Sequence, residues 1–423
     1  MSEKLSIFGG NKIIKKKFKQ YNSIGKAEKK SANKVLKSGI LSGFVAGSGK
    51  GFLGGKFVQR FEEKLKKFYK VKHAITVNSW TSGLIASVGS LDIEPGDEII
   101  TSPFSMCASA ISILHWNAIP VFADISKETF CIDPESIKKK ITKKTKAILI
   151  IDLFGLSHDI EKINKIAKKN RLKVITDSAQ APFSFFKKKI AGTQSDIGGY
   201  SYNYHKHIHT GEGGVVVTND KILAERVRKL RNHAEANVLK RDRLNNMIGF
   251  NFRMGELEAS IGIAQLDKLK QKVKKRQSQA KFLSKKLSKL EGISVPKIPK
   301  NNTHSFYVYP ITIDVKKIGV SRKKIFNALV SEGLQGLSEG YANLHLLPVF
   351  QKKIAYGKNG FPWKFFKNKT SYKKGICPVA ENLHDKELIC FELCLFELSI
   401  NDLNLICKAF KKVWENIQIL KKR

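Results

Sequence analysis

The sequence predicts an α/β fold with a mostly parallel central sheet and a smaller C-terminal α+β domain. Between residues 73 and 232, short runs rich in Val and Ile alternate with longer amphipathic or lysine-rich stretches. Strands that are apolar at nearly every position are typical of a parallel sheet covered by helices on both faces. A chain of 423 residues with 42% hydrophobic residues can also bury a large core.

The elements follow one another in a clear order. We expect seven strands in the large domain, at residues 73–77, 98–101, 120–124, 147–152, 173–177, 197–202 and 214–218. Helical spacing of apolar residues over 255–290 predicts a helix that leads out of this domain. The smaller domain should contain a strand at 305–313 and helices at 322–332 and 401–417. The domain bounds predicted from these elements are 1–60 (an N-terminal segment with a Gly-rich loop), 61–265 (the large domain) and 266–423 (the connecting helix and small domain).

The charge is strongly positive, with 77 basic against 36 acidic residues and a formal net charge of +41. Such a value raises the hypothesis of a nucleic acid or anionic membrane partner. The lysines, however, are spread through almost every segment, and no helix-turn-helix, RRM or KH signature is evident. We therefore attribute the excess mainly to composition, with steering of anionic substrates as an added effect. A nucleic acid surface is the minor alternative.

The cysteines and the N-terminus give expectations about the compartment. Six cysteines are scattered without CxxC spacing, which indicates buried, reduced thiols rather than a zinc ribbon or a disulfide framework. The N-terminus lacks an apolar stretch fit for a signal peptide, and no apolar run approaches membrane-spanning length. We expect a soluble, cytoplasmic protein.

The Gly-rich loop at 43–55 invites comparison with a phosphate-binding P-loop. That motif requires Gly six residues before its lysine and Ser or Thr directly after it. Here Phe44 precedes Lys50 at that distance and Gly51 follows it. We therefore reject an ATPase.

Lys206 carries the strongest functional signal. It lies in the run 201–214, which ends in glycine-rich turns, and Asp177 ends an earlier predicted strand. A lysine that forms an imine with an aldehyde, and an acid that keeps a pyridine nitrogen protonated, are what a pyridoxal phosphate enzyme needs. The alternatives are an ordinary exposed lysine and a carboxylate that caps a helix or turn.

Other polar residues also lie at predicted strand ends, where helix N-termini bind phosphate. The run 78–83 (NSWTSG) could cradle a phosphate or simply cap a helix. Ser201 could bind the same phosphate or be a plain strand polar residue. Gln180 could donate to the cofactor's phenolic oxygen or lie on the surface.

Three alternating histidines, His205, His207 and His209, would share one face of an extended segment. No second ligand cluster accompanies them and a glycine-rich turn follows, so no metal site is predicted. We expect His205 and His207 to line the active site or the subunit boundary.

Several motifs together resemble the DegT-type (DegT/DnrJ/StrS) sugar aminotransferase family, whose members are pyridoxal phosphate enzymes of the aspartate aminotransferase fold (fold type I). The resemblance runs from about residue 54 to the C-terminus. It is carried by the segments 78–82 (NSWTS), 95–98 (PGDE), 177–181 (DSAQA), 201–206 (SYNYHK), 249–256 (GFNFRMGE), 344–348 (LHLLP) and 377–381 (CPVAE).

The resemblance implies a role for each matching residue near the cofactor ring. Lys206 is the Schiff-base lysine, Asp177 is the partner of the ring nitrogen, and Gln180 contacts the cofactor's hydroxyl group. The cofactor implied is pyridoxal 5'-phosphate.

The resemblance also implies a phosphate site. Trp80 through its backbone, Thr81 and Ser201 bind the phosphate, and Asn251 of the neighbouring subunit completes the site, with Arg253 nearby. A homodimer with shared active sites follows from this arrangement.

Two positions depart from the family's pattern. Trp80 stands where a small residue, usually Gly, is expected, so its indole must point away from the phosphate or reshape the pocket. Met106 stands where an aromatic residue commonly stacks on the cofactor ring, although a thioether can also pack there.

The function implied is a ping-pong transamination from glutamate or glutamine to a ketosugar, which the basic charge suggests is nucleotide-linked. The nearest rival is a dehydratase of the same family, in which a histidine replaces the imine-forming lysine; Lys206 in register argues against it. A nonenzymatic regulator that binds nucleic acid is the rival from another class.

Overall fold

The computed structural model describes residues 3–47, 49–234 and 247–422. Its strands are β1 His73–Val77, β2 Glu98–Thr101, β3 Ile119–Phe122, β4 Thr145–Ile151, β5 Lys173–Asp177, β6 Phe185–Phe186, β7 Lys189–Ile190, β8 Ile197–Ser201, β9 Gly214–Thr218, β10 Ile293–Ser294, β11 Tyr309–Ile313, β12 Leu337–Ser338 and β13 Leu388–Phe391. Its α-helices are α1 Lys26–Ser38, α2 Lys56–Tyr69, α3 Trp80–Gly89, α4 Ala108–Leu114, α5 Pro134–Lys140, α6 Ile160–Lys169, α7 Lys221–Arg231, α8 Glu256–Leu287, α9 Val315–Ile318, α10 Arg322–Ser331, α11 Pro348–Gln351, α12 Pro378–Asn382, α13 Ile400–Glu415 and α14 Ile417–Lys422.

A seven-stranded sheet forms the centre of the large domain. Its strand order is β1-β9-β8-β5-β4-β2-β3. The five strands from β8 to β3 are parallel, and β9 runs antiparallel to both of its neighbours. Nearly all residues of these seven strands are buried, as their Val/Ile-rich sequences predict. The α/β, mostly parallel fold class is confirmed.

The seven predicted strands all form, with ends that differ by up to two residues. The largest change in the small domain is at 305–308, which was expected to be strand. There the backbone of Phe306 has a φ of 55°, a left-handed conformation that breaks an extended run, so β11 begins at Tyr309.

The N-terminal segment contains more regular structure than its sequence pattern indicates. Helix α1 packs along α8, and α2 packs between α8 and the sheet. The carboxylate of Glu256 accepts hydrogen bonds from the N–H groups of Phe57 and Val58 at 2.8 and 3.1 Å. The helix N-terminus that follows the Gly-rich loop is therefore filled by a protein carboxylate, in agreement with the rejection of a P-loop.

The C-terminal part is built on a second, antiparallel sheet with strand order β10-β11-β13-β12. Helix α10 packs against β13, α13 packs against α10 and α8, and α8 leads from the large domain into this part of the chain. The predicted boundary between residues 265 and 266 falls within α8, so the division into domains stays a proposal. Across the described ranges, no helix is long and apolar enough to cross a membrane.

Candidate active site

The candidate site lies where the carboxyl ends of the parallel strands meet the start of α3. Strand register brings its parts together: Asp177 of β5 pairs with Gly199 of β8. Gly214 of β9 pairs with Val77 on one side and Ser201 on the other. The end of β1, which leads into α3, therefore lies close to the end of β8, which leads to Lys206. Ligands of open parallel sheets bind at this edge.

Asp177 is a buried carboxylate that is held from two sides. Its Oδ1 accepts from Trp80 Nε1 at 2.7 Å and from the Ala179 N–H at 3.0 Å, and its Oδ2 accepts from Ser109 Oγ at 3.3 Å. Burial raises the pKa of Asp177, whereas the hydrogen bonds and the positive charge of Lys206 oppose that rise. Oδ2, with one long bond, is the oxygen best able to accept another donor.

Lys206 is buried in a turn, where its backbone N–H donates to the Asn203 carbonyl oxygen at 3.0 Å. Its Nζ lies 4.2 Å from the ring centre of Tyr307, and within the described ranges Nζ forms no hydrogen bond or ion pair. Burial lowers the pKa of Lys206 to about 8, although the negative charge of Asp177 acts in the opposite direction. A larger share of this amine is thus unprotonated, and nucleophilic, than in an ordinary lysine.

The first turn of α3 provides N–H groups for an anion. Ser79 caps the helix, and its Oγ accepts from the Ser82 N–H at 3.1 Å. The first intrahelical donor is the N–H of Gly83, which bonds the Ser79 carbonyl oxygen at 3.1 Å, so the N–H groups of Trp80 and Thr81 have no intrahelical acceptor and are available. Thr81 is exposed and Ser201 is buried at the end of β8. This arrangement suits a phosphate.

The departure at position 80 has a structural answer. The indole of Trp80 points toward Asp177, and the residue is only 5% exposed. Room for the ring comes from glycine, because a Cβ atom at Gly199 would lie 2.1 Å from Cζ3 of Trp80. The indole therefore lies beside Asp177, while the backbone N–H of Trp80 remains in the first turn of α3, where a phosphate would bind.

Gln180 and Met106 are the other two residues expected at the cofactor ring. Gln180 is buried; its Oε1 accepts from the Phe154 N–H at 2.7 Å and its Nε2 donates to the Tyr341 hydroxyl at 2.9 Å. Met106 is 51% exposed just before α4. Its contact with a cofactor ring stays a prediction.

Asn251 lies beside the end of β1 of its own chain. Its backbone oxygen is 3.4 Å from Nδ2 of Asn78, and its side chain is exposed. Arg253 Nε donates to Asn232 Oδ1 at 2.7 Å. The exposed Asn251 amide is available to a second subunit, and its role in that subunit's phosphate site stays a prediction.

The histidines around Lys206 do not share a face, because residues 204–207 form turns rather than an extended strand. His207 is buried with Nε2 2.9 Å from the Ser305 carbonyl oxygen, and burial lowers its pKa to about 3. Burial likewise lowers the pKa of His205 to about 4. Both rings are neutral at pH 7. Among the described residues, no three His, Cys, Asp or Glu side chains are grouped to hold a metal ion.

Sequence reasoning missed three neighbours of the site. Tyr307 lies under the Lys206 amine, Tyr341 bonds Gln180, and Ser109 reaches Asp177. The two tyrosines come from the C-terminal part of the chain, and their local sequences carry no motif that points to the site. Ser109 lies in the first turn of α4, three residues after Met106, and its local sequence gives no sign that its hydroxyl reaches Asp177.

The residues present fit pyridoxal phosphate: a buried amine with no hydrogen-bond or ion-pair partner among the described residues, a carboxylate oxygen with spare accepting capacity, and helix N–H groups for a phosphate. A family model, the DegT/DnrJ/EryC1/StrS aminotransferase family, matches residues 43–365. The chain belongs to this family.

Known members of the family share much of the chain. The "Spore coat polysaccharide biosynthesis protein SpsC" of Bacillus subtilis is 32% identical over 80% of this chain and 86% of its own length. A "GDP-perosamine synthase" of Vibrio cholerae is 31% identical over 78% of this chain and 86% of its own length. Among solved structures, the aminotransferase from Psychrobacter cryohalolentis superposes with a TM-score of 0.82 at 28% identity, covering 95% of this chain and all of that chain.

Family membership establishes the general activity. The chain is a sugar aminotransferase, a transaminase that depends on pyridoxal 5'-phosphate, with the fold of that enzyme class. The resemblance noted from the sequence motifs is confirmed.

Proposed function

We propose that this enzyme transfers an amino group from glutamate or glutamine to a nucleotide-linked ketosugar, in the biosynthesis of a polysaccharide or amino sugar in the cytoplasm. The observation that carries the proposal is the buried amine of Lys206, placed where the charge of Asp177 reaches it. Likeness to a GDP-perosamine synthase supports a nucleotide-linked acceptor, and likeness to a spore coat polysaccharide protein supports the pathway.

Each residue has a proposed place around the cofactor. Lys206 Nζ would bond the aldehyde carbon, Asp177 Oδ2 would accept from the ring nitrogen, and Gln180 and Met106 would lie at the ring. The Trp80 backbone, Thr81 and Ser201 would hold the phosphate together with Asn251 of a second subunit. When bound, pyridoxal phosphate supplies an aldehyde that captures amines and a ring that accepts an electron pair.

The protein residues then govern binding and proton transfer. With pyridoxal phosphate bound, Lys206 Nζ would be the base that takes the proton from the donor's α-carbon and the acid that returns it during the transfer. Its lowered pKa suits this task, since a base works best with a pKa near the operating pH. The aromatic ring of Tyr307 would help to exclude water beside the amine.

Charge and exposure support the proposed substrate and assembly. A net charge of +41 would raise the local concentration of an anionic nucleotide sugar. The exposed apolar side chains of Leu41, Val45, Tyr204 and Ile248 are surfaces that a homodimer could cover. Tyr204 is 65% exposed two residues before Lys206, so a second subunit at this place would help to form the active site.

The test is an isotope transfer. The holoenzyme is incubated with glutamate labelled with ¹⁵N at the α-amino group, or with glutamine labelled in the same way, and with a panel of nucleotide ketosugars. We expect ¹⁵N in one sugar product and none with Lys206→Ala. A product that has lost a hydroxyl group without gaining nitrogen would instead show a dehydratase. If no nucleotide sugar is aminated while a free sugar or cyclitol is, the proposed acceptor is wrong.

A further inference from the structure

The side chain of Trp80, at the start of α3, is hydrogen-bonded to Asp177, the acid proposed to face the cofactor ring. Its Nε1–H donates to Asp177 Oδ1 at 2.7 Å, and both residues are buried. We propose that Trp80 is a positioning residue: its indole N–H fixes one oxygen of Asp177 so that the other oxygen faces the ring nitrogen of the cofactor. The inference rests on the role of Asp177 in the proposed function.

The hydrogen bonds at Asp177 divide its two oxygens. Oδ1 accepts two N–H groups, from Trp80 and from the Ala179 backbone, at 2.7 and 3.0 Å. Oδ2 has one hydroxyl, Ser109 Oγ, at 3.3 Å. Hydrogen bonds to a charged acceptor are the stronger kind, so two donors on Oδ1 define the plane of the carboxylate. Without the indole, rotation about the Cβ–Cγ bond is opposed only by the Ala179 N–H and by the longer hydrogen bond from Ser109.

The pocket floor is shaped to admit this ring. Gly199 pairs with Asp177 in the sheet, and a Cβ atom there would lie 2.1 Å from Cζ3 of Trp80. A Cβ atom at Gly83 would lie 2.6 Å from Cε3 of the same ring. The indole thus fills space that side chains at two glycine positions would otherwise occupy. A large residue and two glycines that accept it form one packing unit beside the carboxylate.

The indole also favours the ionised carboxylate. Burial raises the pKa of Asp177, and the hydrogen bond from Trp80 is among the interactions that lower it. An ionised acid keeps the ring nitrogen protonated, which makes the ring a better electron acceptor. Removing the N–H donor should therefore shift the shared proton from the ring nitrogen toward Asp177.

The main experiment compares Trp80→Phe with the wild type. Two properties are measured in each: the dissociation constant for pyridoxal phosphate, and the ¹⁵N chemical shift of the ring nitrogen in bound, ring-labelled cofactor. We expect an increase of about tenfold in the dissociation constant, equivalent to about 1.4 kcal/mol, and a shift toward the value of neutral pyridine.

Trp116→Phe is the matched control. Trp116 Nε1 also makes a 2.7 Å hydrogen bond, but to the backbone oxygen of Ile85 rather than to a carboxylate. This variant should leave both properties within about twofold of the wild type. If Trp80→Phe behaves like the control, the indole only packs and the proposal is wrong.

A second variant is used if thermal unfolding shows that Trp80→Phe is not a folded protein. Trp80→Gly opens a space that can be filled by added indole or by indene, which has the same ring shape without the N–H. Recovery of cofactor affinity with indole alone supports the proposal, and equal recovery with both compounds contradicts it.

The outcomes also separate this inference from the proposed function. A wild-type protein that holds a protonated ring nitrogen but aminates no ketosugar would overturn the proposed function and leave the role of Trp80 standing. A wild-type ring nitrogen that is unprotonated would overturn the role of Trp80, whatever the substrate.

Discussion

The lowered pKa of Lys206 leads to a quantitative prediction about the apoprotein. With a pKa of about 8, close to 9% of the amine is unprotonated at pH 7, whereas an ordinary lysine with a pKa of 10.5 has about 0.03%. Only the unprotonated amine attacks the aldehyde, and the reactive fraction of Lys206 at pH 7 should be about 300 times that of a lysine with the usual pKa.

The assay follows the visible absorbance that appears when pyridoxal phosphate is mixed with apoprotein between pH 6 and 10. The rate should rise with a midpoint near pH 8. The charge of Asp177 raises the pKa of Lys206, so Asp177→Asn should move this midpoint lower. Nα-acetyl-lysine serves as the reference with the usual pKa. A wild-type midpoint near 10.5, equal to that of the reference, would refute the reasoning.

Further predictions concern stability and cofactor affinity. Glu62→Gln should cost about 3–5 kcal/mol of unfolding free energy in urea, because it leaves the fully buried guanidinium of Arg231 without its 2.5 Å partner; a loss below 1 kcal/mol would contradict this. Ser201→Ala should raise the dissociation constant for pyridoxal phosphate about threefold to tenfold, by the loss of one hydrogen bond; unchanged affinity would remove Ser201 from the phosphate site. In the apoprotein, the unfolding free energy should rise with pH between about 8 and 10.5, because there the unfolded chain binds the Lys206 proton and the folded chain does not. Lys206→Met should lack that increment.

Sequence patterns were sufficient for the framework of the sheet. Each of the seven large-domain strands is a short apolar run bounded by turn residues. Runs of this length that are buried on both faces are typical of strands in a parallel sheet. Strand ends carry less information, because one more or one fewer paired residue changes the hydrophobic pattern hardly at all. The strand expected at 305–313 forms only from Tyr309, because the left-handed backbone of Phe306 breaks its first part.

The candidate site was predictable where its residues follow strands directly. Asp177 and Ser201 end strands, and Lys206 follows one in a glycine-bounded run, so their types and places were readable. The direction of the Trp80 indole was not, since it depends on the absence of side chains at Gly83 and Gly199. The residues from the C-terminal part could be found only from the contacts that their segments make with Lys206 and Gln180 in the folded chain.

The same distinction applies to the tyrosines. Tyr307 reaches the Lys206 amine because the chain after α8 returns to the strand ends of the large domain. Tyr341 meets Gln180 for the same reason. Neither contact follows from spacing along the chain, since each joins segments more than a hundred residues apart.

The most direct test of the central claim is to locate the lysine that binds the cofactor. Holoenzyme is reduced with borohydride, digested with trypsin and analysed by mass spectrometry. A modified Lys206 resists cleavage, so we predict that the cofactor's mass appears on the peptide that spans residues 190–221. Cofactor found on any other of the chain's many lysines, with residues 190–221 cleaved normally after Lys206, would contradict the account.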